Sequence, residues 1–182
     1  MNLPNKLTIL RVLFIPFFVV AMLVDDIPYN NYIGGVVFCI ACLTDTLDGY
    51  IARKNHLITD FGKFMDPLAD KLLVCAALIC FVAMPELHFP AWAAIVIISR
   101  EFTISGFRLV ASDNGVVIAA SKWGKFKTIS QMMMSILLIF HLDSIPYYTL
   151  LEQIFIYLSV GLTIISLIDY IYKNKEVLKE EK

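Results

Sequence analysis

Charge is scarce in this chain: Asp, Glu, Lys and Arg make up 17% of 182 residues, and the formal net charge is -1. Lys and Arg number 15 against 16 Asp and Glu, so there is no basic excess, and no nucleic-acid partner is expected. The four cysteines, Cys39, Cys42, Cys75 and Cys80, all sit inside apolar runs, so no disulfide framework is expected. Cys39 and Cys42 have C-x2-C spacing with no second thiolate pair nearby, which reads as packing rather than as half of a zinc site. The three histidines, His56, His88 and His141, lie in connections or at helix ends and form no ligand pair. Internal repeats and low-complexity linkers are absent, and residues 1–182 are read as one domain.

What is present is hydrocarbon. Apolar residues make up 59% of the chain, and its mean hydropathy is +0.74, too greasy for an ordinary soluble domain. Apolar runs at 7–24, 32–44, 72–84, 91–111, 126–141 and 150–172 approach the roughly 20 residues that cross a bilayer core. The reading is all-α: an integral membrane bundle of six transmembrane helices. The second and third runs are short and reach a spanning length only by continuing into the polar stretch between them. No small-residue cleavage site follows the first run, so it is read as a permanent helix. Pro4, in the stretch 2–6, suits a helix N-terminus, and a short interfacial helix is expected there. The connections 25–31, 85–90 and 142–149 hold no Lys or Arg. By the positive-inside rule both termini and the basic connections face the cytoplasm of a plasma-membrane protein. The tail 173–182 alternates charges and is given no function.

Acids within bilayer depth require a reason, since each costs about 2.5–3.5 kcal/mol on insertion scales. Asp45 and Asp48 lie three residues apart, with Gly49 and Ala52 at the same spacing; Gly62, Asp66 and Asp70 recur every fourth residue beyond a short connection. Two antiparallel helices would bring the four carboxylates together near the cytoplasmic surface. Such a cluster calls for hard cations with oxygen ligands, two Mg²⁺ or Mn²⁺ ions. The small residues leave room for a pyrophosphate, and Arg53 adds a positive contact.

The stretch 45–70 also fits D-x2-D-G-x2-A-R-x8-G-x3-D-x3-D at every fixed position, and so resembles the CDP-alcohol phosphotransferase family. The resemblance implies a six-helix membrane domain in which Asp45, Asp48 and Asp66 bind metal, with Asp66 bridging both ions. It implies that Asp70 touches the second ion and serves as general base. It places Gly49, Ala52, Arg53, Thr59 and Gly62 against the CDP-diacylglycerol, and it assigns Asn5, Thr8 and Arg11 of the first helix to the same substrate. Asn5 and Thr8 could instead cap a helix. A homodimer, surrounded by membrane lipids, is implied by the resemblance alone.

The acceptor alcohol must be sought in later helices. Arg100 lies about 14 Å inward from residue 91 at ~1.5 Å per residue and needs an anionic partner. Adjacent Glu101 should point away, leaving an aspartate or a phosphate. Arg108, Lys122 and Lys125 complete a basic set suited to an acceptor carrying its own phosphate. Residues 100–108 and 121–128 resemble those of bacterial phosphatidylglycerophosphate synthases. The implied reaction moves the phosphatidyl group from CDP-diacylglycerol to glycerol 3-phosphate, releasing CMP. Rival readings are another acceptor (inositol phosphate, serine or phosphatidylglycerol) or a divalent-cation transporter. Lys127 is read as a topological anchor or headgroup partner, Met132, Met133 and Met134 as lipid contact or packing, and Gly34 and Gly35 as a site of close helix approach. Asp169 is read as solvated, and Trp123, Tyr147, Tyr148, Tyr170 and Tyr172 as interfacial anchors.

Overall fold

A computed structural model describes residues 2–24, 26–54, 59–113, 118, 121–142 and 145–175; the side chains of 3, 4, 45–53, 60, 61, 63, 64, 67, 112 and 113 are outside the description. Every regular element among the described residues is helical: α1 (Leu3–Leu23), α2 (Asn30–Lys54), α3 (Asp60–Ala83), a 3-10 turn (Pro85–Leu87), α4 (Ala91–Asp113), α5 (Lys122–Phe140) and α6 (Tyr148–Asn174). α2 and α3 do continue into the polar stretch, so each carries part of the acidic motif on its own end.

The separate interfacial helix expected at the start is not formed. The Asn2 side chain accepts a hydrogen bond from the Asn5 N–H, and proline stands in the first turn. That turn requires no proline N–H, so α1 begins there and runs on without a break.

α1 from Asn5 to Leu23 and α6 are long and apolar enough to cross a membrane, and Asn30–Thr44 of α2 is a shorter apolar stretch. The other helices interrupt their apolar portions with charge. Lipid-like surroundings are written on the surface: Phe17, Ile95, Leu109, Ile129 and Ile168 are exposed, while Thr8, Arg11, Glu152, Ser159 and Thr163 are buried. A water-soluble fold would reverse that distribution.

The chain forms two compact units, Met1–His88 with Ile139–His141, and Phe89–Leu138 with Leu142–Lys182. In the first, α1 packs along both α2 and α3, which touch each other much less. α2 and α3 do touch, as expected of the two motif helices, but α1 is the principal neighbour of each. Phe18 and Phe38 meet with ring centroids 5.8 Å apart. A Cβ at Gly34 would stand 2.6 Å from Met22 Sδ, and one at Gly35 would stand 2.6 Å from Phe140 Cζ. The glycine pair thus serves close approach, as its sequence suggested.

In the second unit α4 packs on α6. Ser130 of α5 shares a 2.9 Å hydrogen bond with Ser159 of α6. Met134 is buried whereas Met132 and Met133 are exposed, the divergence expected of consecutive helical residues. Tyr147 and Tyr172 are exposed, but Tyr170 is buried against Phe107, with centroids 5.6 Å apart, and is core rather than anchor. Asp169 pairs with Lys173 one turn later at 2.6 Å.

Candidate active site

The first unit assembles its polar site at the start of α1 and the start of α3. Thr59 caps α3: its Oγ1 accepts from the Gly62 N–H at 3.0 Å and donates to Asn5 Oδ1 at 3.0 Å. One helical turn further along α1, Thr8 Oγ1 donates to Asp66 Oδ1 at 2.6 Å, the short distance of a charge-assisted hydrogen bond. Asn5, Thr8 and Arg11 are all buried. Gly62 is what lets the two helices come together. A Cβ there would lie 3.2 Å from Asn5 Oδ1, 3.3 Å from Thr59 Oγ1 and 3.6 Å from Asp66 Oδ2.

Five of the motif-related residues, Asn5, Thr8, Thr59, Gly62 and Asp66, therefore form one connected group. Asp70 stands one turn beyond Asp66 on α3 and is exposed. Asp45, Asp48, Gly49, Ala52 and Arg53 belong to the C-terminal part of α2, and their side chains lie outside the described residues. Asn5 and Thr8 do not cap α1, whose cap is Asn2; their side-chain oxygens instead bond to Thr59 and Asp66. No local pattern reveals this, because Thr8 and Asp66 are 58 residues apart.

The donor chemistry of the described acids, Asp66 and Asp70, suits a divalent cation. Thr8 occupies one oxygen of Asp66, and the other borders the gap left by the missing Gly62 side chain. Carboxylate oxygens are the donors that Mg²⁺ and Mn²⁺ take. Among the described residues no three potential ligands converge, and two of the four acids are not among them.

The second unit holds the basic residues. Arg108, Lys122 and Lys125 are exposed, and the Arg108 guanidinium lies 5.8 Å from the centre of the Tyr170 ring. Arg100 is buried and differs from expectation. Its Nη1 donates to Glu101 Oε1 at 2.9 Å, and its Nε donates to Ser166 Oγ at 3.1 Å. Backbone directions do diverge between neighbours, but two long flexible side chains can fold back to meet, and a dry interior rewards the pairing. Lys127 is corrected as well: it is neither surface anchor nor headgroup partner, but 3% exposed and bonded to the same Glu101 oxygen.

Comparison with known proteins shows the family. The CDP-alcohol phosphatidyltransferase profile matches residues 1–165. A Bacillus subtilis protein named CDP-diacylglycerol--glycerol-3-phosphate 3-phosphatidyltransferase is 45% identical, over 98% of this chain and 97% of its own. Proteins of the same name from Haemophilus influenzae and Pseudomonas fluorescens are 41% and 37% identical, over 96% and 94% of this chain and 94% and 89% of theirs. With the acidic motif on α2 and α3 and a match along nearly its whole length, the chain belongs to the CDP-alcohol phosphatidyltransferase family.

Proposed function

We propose that the protein transfers the phosphatidyl group of CDP-diacylglycerol to glycerol 3-phosphate, yielding phosphatidylglycerophosphate and CMP. The observation that carries this reading is the Thr8–Asp66 contact, which holds a motif carboxylate in a fixed pose inside an apolar bundle. Relatives that bear the name of this activity, up to 45% identical over nearly the full chain, support the choice of acceptor. So does the set Arg100, Arg108, Lys122 and Lys125, which offers more positive charge than serine or an uncharged polyol would need.

Asp45, Asp48, Asp66 and Asp70 would hold two divalent ions, Mg²⁺ or Mn²⁺. When bound, they supply neutralisation of the diphosphate and of the charge developing on the departing CMP oxygen. Gly49, Ala52, Arg53, Thr59 and Gly62 accommodate the cytidine diphosphate, Arg53 by its charge and the small residues by their lack of bulk. Asn5, Thr8 and Arg11 support that pocket from α1. A hydroxyl oxygen of glycerol 3-phosphate forms a bond to the phosphorus bearing diacylglycerol, while the bond from that phosphorus to the bridging oxygen of CMP breaks. The hydroxyl proton goes to the Asp70 carboxylate, whose exposure leaves it accessible to an entering alcohol.

In the same reading residues 1–182 act as one domain of six transmembrane helices. Both termini and the acidic motif face the cytoplasm of the plasma membrane, where both substrates can reach the motif, and the chain pairs as a homodimer among membrane lipids. The test uses purified full-length protein in detergent with CDP-diacylglycerol and Mg²⁺. CMP should appear with glycerol 3-phosphate and not with serine, inositol phosphate or phosphatidylglycerol. Release with one of those acceptors instead would reassign the substrate, and none with any acceptor would overturn the reading.

A further inference from the structure

Beyond the family motif, the second unit contains a buried charged group tying three helices together. Glu101 Oε1 on α4 accepts from Arg100 Nη1 at 2.9 Å and from Lys127 Nζ of α5 at 2.5 Å. Ser166 of α6 gives its own proton to the Thr163 carbonyl at 2.9 Å, so its oxygen is left to accept from Arg100 Nε at 3.1 Å. Two nitrogens of the Arg100 fork are thereby anchored to protein acceptors. The third, Nη2, lies 3.5 Å from where a Cβ on Gly124 would stand, in the first turn of α5 between Lys122 and Lys125.

We propose that Glu101 and Ser166 are positioning residues for the acceptor's phosphate. They hold the Arg100 guanidinium so that its Nη2 edge is offered toward the start of α5, and Gly124 keeps that edge uncovered. A planar fork fixed on two sides loses little freedom when a phosphate oxygen takes the third, which is how preorganisation raises affinity. Glu101 also keeps Lys127 occupied, so the phosphate meets the arginine edge rather than two competing buried cations. The inference rests on the proposed role of Arg100 in acceptor binding.

The experiment is CMP release by purified full-length protein over a range of glycerol 3-phosphate, with CDP-diacylglycerol and Mg²⁺ saturating, alongside thermal unfolding. Glu101→Gln should raise the KM for glycerol 3-phosphate about 10-fold, as expected for loss of hydrogen bonds to a charged group. The KM for CDP-diacylglycerol should stay within about twofold. Glu101→Asp should recover most of the lost affinity. Ser166→Ala and Gly124→Ala should each raise the glycerol 3-phosphate KM about threefold. Both alter only neutral atoms, and an added Gly124 Cβ makes ordinary van der Waals contact, so they remain decisive should Glu101→Gln not fold. Wild-type KM in Ser166→Ala and Gly124→Ala, with or without lowered thermal stability, would reduce the group to a structural tie and overturn the proposal. Arg100→Gln separates the two levels. If it leaves the glycerol 3-phosphate KM unchanged, the assignment of Arg100 itself falls. If it raises that KM while the other variants do not, only the positioning role falls.

Discussion

The two units solve opposite electrostatic problems with different materials. In the first, a carboxylate at Asp66 is restrained by a neutral hydroxyl from Thr8, and space is provided by Gly62. In the second, the buried cations Arg100 and Lys127 are restrained by an anion, Glu101. A neutral restraint keeps the full negative charge of the acids available for an incoming ion, whereas a charged restraint cancels part of the positive charge that it orients. The difference suits ligands of different strength: a divalent cation demands concentrated charge, while a single phosphate is met by directed donors.

The sharpest way to break the comparison is to remove charge from the first unit. Asp66→Asn should lower CMP release on the order of 1000-fold, the upper scale for deleting a principal electrostatic group, and added Mg²⁺ should not restore it. Thr8→Val keeps the charge and discards only the restraint. Its expected effect is smaller, about 10- to 100-fold in apparent metal affinity, the range typical of residues that orient ligands, read as a shift of the Mg²⁺ activation curve. In the second unit Arg108→Gln should raise the glycerol 3-phosphate KM about 10-fold while leaving that curve in place. A shifted metal curve in this variant would mean that the units do not divide the labour as described. The smallest effect on chemistry belongs to Gly35→Ala. Its Cβ would press on Phe140 and lower stability by about 1–3 kcal/mol, measured as a drop in Tm, with turnover per folded molecule unchanged.

Much of the helical architecture was legible because long apolar runs are a coarse and strong signal. The runs starting near residues 7, 32, 72, 91, 126 and 150 each fall within one helix to within a residue, and residues 45–54 and 60–70 of the polar stretch belong to the ends of α2 and α3. Fixed spacing within 45–70 marked the acidic residues, since helical periodicity is local. Contacts made across the chain were hidden. Nothing near Thr8 announces Asp66, and the Asn5–Thr59 bond joins residues that only the packing of α1 on α3 brings together. Arg100 and Glu101 failed in the other direction, because a rule about backbone direction says little of where two long side chains end. Tyr170 failed similarly: aromatic residues near a helix end are common at membrane boundaries, but the face on which this one falls is set by α4.

The Thr59 hydroxyl joins two helices through one oxygen: it accepts from the Gly62 peptide and gives its proton to Asn5 Oδ1. With its oxygen turned to Thr59, the Asn5 amide directs its NH₂ end away. α1 thus presents donors rather than an acceptor at that point. A Thr59→Val chain would leave Asn5 able to turn over and offer the opposite polarity.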